Sequence, residues 1–252
     1  MERWSGKVAV VTGASAGIGA AIAEVLVSQH LQVVGVARRL EKLEELAAKW
    51  PGKNGQFIPL KGDISDKDDV LRIFKWIGDN VGPVSILINN AGVGKRTSIV
   101  NGNIDDWKTV MDTNFFGLAI ASREAIKSMQ DHHIDGHIVN INSTLGHVVI
   151  NAPNQNLYPA SKHAVTAFTE TLRKDLVAMK SKIKVSSVSP GFVDTDIWTA
   201  NHLLEDEHIK EVFKTAPKLS SEDVANAVLA VLATPPHVQI VELIVKPVGE
   251  LF

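Results

Sequence analysis

The sequence predicts a single α/β domain in which a doubly wound parallel sheet carries helices on both faces. Three observations predict it: short β-branched runs alternate with longer stretches of helical spacing, a glycine-rich turn joins the first strand to the first helix, and no linker divides the chain. The strand runs are Val8–Val11, Val33–Val36, Phe57–Leu60, Ile86–Ile88, His137–Ile141 and Lys184–Val188, with a late run at Gln239–Val245. Strands buried on both faces read as continuous apolar runs, and parallel strands need a crossover helix between them. Helical spacing appears over Gly17–Gln29, Leu40–Lys49, Lys67–Asn80, Trp107–Gln130, Tyr158–Met179 and Ser221–Ala233. The segment Phe192–Leu219 is polar and breaks the rhythm. Long insertions in compact domains are often functional, so it reads as a lid over a site, against the plainer reading of a surface excursion.

Composition narrows the function. At 252 residues and 45% apolar side chains the chain can bury a large core. Lys and Arg number 26 against 28 Asp and Glu, a net charge of -2 that argues against a nucleic-acid partner. With no cysteine, disulfides, thiolate zinc sites and cysteine nucleophiles are excluded, and redox chemistry must come from a cofactor. No run approaches the length of a membrane span, and the start, Met1–Lys7, leads into an apolar segment too short for a secretory signal. The expectation is a soluble cytoplasmic protein without a metal site.

After the first strand stands Thr12-Gly13-Ala14-Ser15-Ala16-Gly17-Ile18-Gly19, followed by the helical run Ala20–Gln29. Glycines let the chain turn tightly against a pyrophosphate, and the helix N-terminus offers N–H groups and a favourable dipole. The turn therefore reads as a dinucleotide cradle of the Rossmann type, with packing alone as the bland alternative. At the end of the second strand, where an acid accepts hydrogen bonds from the ribose of NAD, this chain has Ala37-Arg38-Arg39. A guanidinium pairs with a 2′-phosphate that a carboxylate would repel, so NADP(H) is expected over NAD(H), through Arg38 first and Arg39 second. Two solvated arginines opening a helix are the alternative, weakened because cations sit badly at a helix N-terminus.

Tyr158 and Lys162 are four residues apart, hence on one helical face. A nearby ammonium stabilises a phenolate, and a phenol so lowered can act as acid or base near neutrality. Tyr158 is also the only tyrosine in the chain. Pro159 disfavours helical geometry in the residue before it, which places the start of the helix near Tyr158.

The glycine spacing G-x-x-x-G-x-G, Asn89-Asn90-Ala91-Gly92, Asn114, Ser143, Tyr158-Pro159-Ala160-Ser161-Lys162 and Pro190-Gly191-Phe192-Val193-Asp194-Thr195 together resemble the short-chain dehydrogenase/reductase family over nearly the whole chain. Their joint order is far more specific than any single motif. The resemblance implies a catalytic group in which Ser143 holds the substrate oxygen beside Tyr158, Lys162 also holds the nicotinamide ribose, and Asn114 positions a water linking Lys162 to solvent. It implies cofactor contacts at Gly13, Ser15, Gly17, Ile18, Gly19, Asp63, Ile64, Asn90, Ala91, Gly92, Pro190, Gly191, Val193 and Thr195. Asp63 matches the family's acid near the adenine; alone, it could equally cap a helix in Asp63-Ile64-Ser65-Asp66. A homodimer or homotetramer is also implied, built on the helices at 107–130 and 158–179.

Candidate substrate-pocket residues are His147, Val149, Ile150, Leu157, Phe192, Ile197 and Trp198, a mostly apolar set suited to a hydrophobic alcohol or ketone. The segment around Asn140–Ser143, the loop that follows and the short C-terminus are similar to the branch containing insect farnesol dehydrogenases and hydroxysteroid dehydrogenases. That resemblance implies an isoprenoid alcohol such as farnesol, or a steroid, as substrate. Two other functions fit the fold: a nucleotide-sensing protein that has lost catalysis, and a lyase or epimerase that uses the cofactor transiently.

Overall fold

The structure is a computed structural model, and it describes residues 1–50, 55–150, 154–195 and 207–250. Among them, seven parallel strands form one sheet in the order β3-β2-β1-β4-β5-β6-β7. The strands are β1 (Val8–Thr12), β2 (Gln32–Ala37), β3 (Gln56–Lys61), β4 (Val84–Asn89), β5 (His137–Ile141), β6 (Lys184–Pro190) and β7 (Glu242–Val245). The order reverses between β1 and β4, so a crevice opens at their carboxyl ends, where ligands of such sheets bind.

β1 is buried along its whole length, and its side chains alternate between two cores. Ala9 and Val11 face a core shared with Ile22 and Leu26 of α1 (Gly17–Ser28), Leu43 of α2 (Leu40–Lys49) and Val228 of α8 (Ser221–Ala233). Val8 and Val10 face the other core. There they meet Ile73 and Ile77 of α3 (Lys67–Asn80), Ala121 and Met129 of α5 (Gly117–Asp131) and Leu176 of α6 (Tyr158–Ala178). Helix starts follow local chemistry. Asp66 caps α3 by accepting from the N–H groups of Asp68 and Asp69, and Ser220 and Asp223 form a reciprocal capping box at α8.

Three helices, α2, α3 and α8, and strand β5 begin and end where the sequence pattern places them. The late strand is shorter than its apolar run, Glu242–Val245 rather than Gln239–Val245. The helix expected over 107–130 is also not continuous. It consists of α4 (Ile104–Met111), a π-helical turn (Asp112–Phe116) and α5, and hydrophobic spacing does not distinguish an inserted residue from a regular turn.

The excursion that breaks the rhythm contains a helix, α7 (Glu207–Thr215), which the sequence reading did not place. Its two ends are pinned together: Val193 bridges Leu219, Asp194 N–H donates to Leu219 O at 2.9 Å, and Leu219 N–H to Phe192 O at 2.8 Å. Among the described residues no helix is long and apolar enough to cross a membrane, and no cluster of His, Asp and Glu could hold a metal ion.

Candidate active site

At the carboxyl end of β1 the chain turns through Gly13 and Gly17, whose φ angles of 68° and 54° favour glycine. Gly19 is required by crowding, since a Cβ there would lie 2.3 Å from Gly13 O and 2.4 Å from Asn90 Nδ2. Asn90 locks the turn from the neighbouring strand end: its Nδ2 donates to Thr12 O at 2.9 Å and Gly13 O at 3.2 Å. Thr12 Oγ1 accepts from the N–H groups of Asn90 and Ala91 at 3.0 and 3.1 Å. The side chain of Asn90, expected among the cofactor contacts, is thus committed to shaping the cradle. Thr12 is a residue the motif reading missed, although its place directly before Gly13 was the signal.

Helix α1 starts at Gly17 with Ala16 as a cap that offers no side-chain acceptor, so the first-turn N–H groups and the dipole face the cradle. This arrangement fits a pyrophosphate. Thr195 closes the cradle on the far side, with its Cβ 3.4 Å from where a Cβ on Gly17 would stand.

Arg38 and Arg39 are exposed at the carboxyl end of β2. Arg39 reaches across to the cradle and donates to Ser15 Oγ at 3.1 Å, while Arg38 extends from the same strand end. Asp63 is not the cap of α3, which is Asp66. Its Oδ1 instead accepts from Ser65 N and Oγ at 2.9 and 2.7 Å, folding the turn after β3. The neighbouring Ile64 is buried, and its carbonyl lies 2.1 Å from where a Cβ on Gly117 would stand, so glycine lets α5 approach this turn.

The π-helical turn carries Asn114. An extra residue in a helical turn re-aims the side chains that follow, and such turns recur at functional sites. Buried Asn114 accepts from Val93 N–H at 2.8 Å and donates to Val93 O at 3.0 Å and Ser161 Oγ at 3.1 Å. It faces Lys162 across Gly92, where a Cβ would lie 3.6 Å from Asn114 Oδ1 and 4.0 Å from Lys162 Nζ.

Ser143 follows β5 and caps a short turn (Thr144–Gly146) by accepting from Leu145 N–H at 3.1 Å. α6 begins at Tyr158 with Pro159 in its first turn, as the proline required. Lys162 Nζ lies 5.7 Å from the Tyr158 ring centre and donates to Ile141 O at 2.9 Å.

The electrostatics differ from the sequence expectation. Burial pushes the Tyr158 phenol up to about 12, opposed by a side-chain hydrogen bond with Ser143. Burial also pulls Lys162 down to about 8. A phenol held protonated beside a serine hydroxyl can donate a proton, and an amine that titrates close to neutrality can exchange one.

The expected pocket residues divide. Leu157, capping α6, is half-buried, as is Ile150, whose carbonyl accepts from Gln155 Nε2 at 2.9 Å; Val149 is 72% exposed. Phe192 packs edge-on against Phe213 of α7 at 5.8 Å, joining the start of the excursion to its helix. His147 points its Nε2 to Ser189 Oγ at 3.0 Å, toward the strands rather than outward. Ile197 and Trp198 lie outside the described residues. Pro190 ends β6 and Gly191 N–H donates to Val245 O at 2.8 Å. Gly191 is packed against Glu250, whose buried carboxylate accepts from Phe192 N–H at 2.9 Å. Glu250 was not legible as part of this region, because its partner lies 58 residues away in sequence.

A family model described as short chain dehydrogenase matches residues 7–205. The chain is 47% identical to farnesol dehydrogenase of Aedes aegypti, with all of both chains covered. It is 41% identical to human dehydrogenase/reductase SDR family member 11, covering all of this chain and 98% of the relative. Among solved structures, the closed form of serine dehydrogenase complexed with NADP+ superposes with a TM-score of 0.87 at 30% identity, covering 97% of this chain and 96% of that one. A short-chain dehydrogenase/reductase from Burkholderia phymatum in complex with NAD also gives 0.87, at 28% identity, with 97% and 90% covered. With a glycine cradle at the switch point, Ser143, Tyr158 and Lys162 gathered beside it, and a family match over most of its length, this chain belongs to the short-chain dehydrogenase family of oxidoreductases.

Proposed function

We propose that the protein is an NADP(H)-dependent enzyme that interconverts a hydrophobic alcohol and its aldehyde or ketone, with Tyr158 as acid and base. The observation that carries this reading is the convergence of Ser143, Tyr158 and Lys162 at the carboxyl ends of β4 and β5, next to a cradle built for a pyrophosphate. A dinucleotide held in the cradle would supply or accept the hydride. Ser143 holds the substrate oxygen by a hydrogen bond. Tyr158, protonated at neutral pH, gives its proton to that oxygen during reduction and takes the hydroxyl proton during oxidation. Lys162 donates once to Ile141 O, and its other ammonium protons are available to the nicotinamide ribose; its positive charge offsets the phenolate that forms as Tyr158 gives up its proton. Asn114, fixed by Val93 and Ser161, orients the polar path behind Lys162.

Preference for the phosphorylated cofactor rests on Arg38 and Arg39, since no acid stands at the end of β2 and two guanidinium groups can pair with a 2′-phosphate. Substrate class rests on the apolar candidates Ile150, Leu157 and Phe192 and on the full-length similarity to a farnesol dehydrogenase, which together favour an isoprenoid alcohol, with a hydroxysteroid next. The bridge between Val193 and Leu219, at the two ends of the 192–219 excursion, supports reading that segment as a lid.

The experiment is reduction of NADP+ and of NAD+ by a panel of isoprenoid alcohols and steroids, with the wild-type protein and Arg38→Asp. The expected result is turnover of an apolar alcohol with NADP+, and a preference for NADP+ over NAD+ that falls by about 10- to 100-fold in the variant, the worth of a charge-assisted contact. Stoichiometric NADPH binding without turnover of any alcohol or carbonyl would establish a nucleotide sensor instead. Conversion without net change in the reduced nicotinamide would establish a lyase or epimerase.

A further inference from the structure

The turn that carries Ser143 is only three residues long, so its position depends on what grips it from either side. On one side the grip is α6: Thr166 Oγ1 donates to Gly146 O at 2.9 Å and accepts from Asn142 Nδ2 at 2.8 Å, and a Cβ on Gly146 would lie 2.9 Å from Lys162 O. On the other side His147, the residue that ends the turn, reaches the sheet.

One nitrogen of this ring serves two elements. His147 Nε2 lies 3.0 Å from Ser189 Oγ on β6 and 3.5 Å from Glu242 Oε2 on β7. Ser187, paired in register with Glu242, continues the polar row with its Oγ 3.5 Å from that of Ser189. The other oxygen of Glu242, Oε1, is buried without a hydrogen-bond partner among the described residues, so the His147 ring is the polar group that approaches this carboxylate. The tautomer with hydrogen on Nε2 lets the ring donate to Ser189 Oγ and turn that hydrogen toward the Glu242 carboxylate. A carboxylate orienting a nucleophile's base would instead sit at Nδ1, so this cluster is not a serine nucleophile with its base.

Ser189 directly precedes Pro190-Gly191, where the excursion begins. The ring therefore ties the turn bearing Ser143 to the neighbouring strand end bearing Gly191. We propose that His147 is a positioning residue, one that sets the Ser143 hydroxyl through its Nε2 hydrogen bond to Ser189, beside the Glu242 carboxylate, rather than lining the substrate pocket. This rests on the reading of Ser143 given above. A hydroxyl shifted by a fraction of an ångström loses its alignment with the substrate oxygen while cofactor binding, made elsewhere, is untouched.

The test compares kcat and KM for His147→Phe, which keeps the ring and loses the donor, His147→Gln, which restores an N–H donor, Ser189→Ala, and the double variant H147F/S189A. Ser143→Ala is the control. The expected result is a kcat about tenfold lower in His147→Phe with KM for NADPH unchanged. His147→Gln should recover most of that loss, and the double variant should be no worse than the more impaired single one. Wild-type kcat in His147→Phe, or additive losses in the double variant, overturns the proposal. If His147→Phe does not fold, equal impairment of His147→Gln and full activity of Ser189→Ala overturn it as well. Undiminished activity in Ser143→Ala would bring down the reading of the site itself, a different failure from an impaired Ser143→Ala beside a neutral His147→Phe.

Discussion

The two ends of β5 and β6 bury the same kinds of groups and use them differently. At the amino ends stand His137 and Lys184; at the carboxyl ends, a few residues on, stand His147 and the site containing Lys162. Both lysines are pulled down to about 8, in each case chiefly by burial, with repulsion from Arg3 adding to the shift at Lys184. Their partners differ. Lys184 Nζ donates to Thr234 Oγ1 at 3.0 Å, Pro235 O at 3.0 Å and Val238 O at 2.7 Å, so all three protons staple the end of α8 and the segment leading to β7. Lys162 has one protein acceptor among the described residues and stands beside a phenol. A perturbed lysine therefore does not mark a reactive one. What separates the two is how many of the ammonium protons the fold consumes, and which end of the sheet the group occupies.

The sharpest way to break this comparison is to replace each lysine by methionine. Lys162→Met should lower turnover by at least about 100-fold, the lower range for losing acid–base support, with little change in melting temperature. Lys184→Met should do the reverse, leaving kcat within about twofold while lowering stability by about 1–3 kcal/mol, because three carbonyl or hydroxyl acceptors lose their donor. Equal loss of activity in both variants would erase the distinction drawn between the two ends.

The histidine of the amino end gives a prediction in pH. His137 is fully buried, and burial, aided by the charges on Lys184 and Arg3, pulls its imidazole from its ordinary 6.5 down to about 3. Ser186 Oγ donates to Ile240 O and so accepts from His137 Nε2–H at 2.8 Å, which leaves Nδ1 bare and the ring neutral. The unfolded chain takes up this proton first. Its contribution is therefore intact above about pH 6.5 and is lost as pH falls toward 3, at up to about 1.4 kcal/mol per unit. His137→Gln should flatten that limb of denaturant midpoint against pH, and an unchanged slope would show that other groups set acid stability.

Much of the fold is legible in the sequence because its signals are local. The β1 run and the glycine turn each lie within a few residues of what they specify. The same holds for the pairing of Tyr158 with Lys162, which one helical turn guarantees. What stays hidden depends on partners distant in the chain. The π-helical turn at Asn114 preserves the apolar pattern on either side of it, Asn90 turns inward because Thr12 and Gly13 lie 78 and 77 residues before it, and Glu250 meets Phe192 only once β6 and β7 are paired. The protonation of Tyr158 was read in the wrong direction for a related reason. Spacing shows that an ammonium is near, but the burial that raises the phenol is a property of the packed domain.

A phenol pushed up to about 12 also sets the direction of pH dependence. It is protonated and able to donate during carbonyl reduction at neutral pH, whereas alcohol oxidation needs the phenolate and should quicken as pH rises. The measurement that bears most directly on the account is Tyr158→Phe, followed by the absorbance of reduced nicotinamide in a sample shown to be folded and to bind NADPH. Loss of turnover by about 100-fold or more, with cofactor affinity retained, is the predicted result. Conversion at the wild-type rate would mean that the proton travels through another group, and the assignment of the site would fail with it.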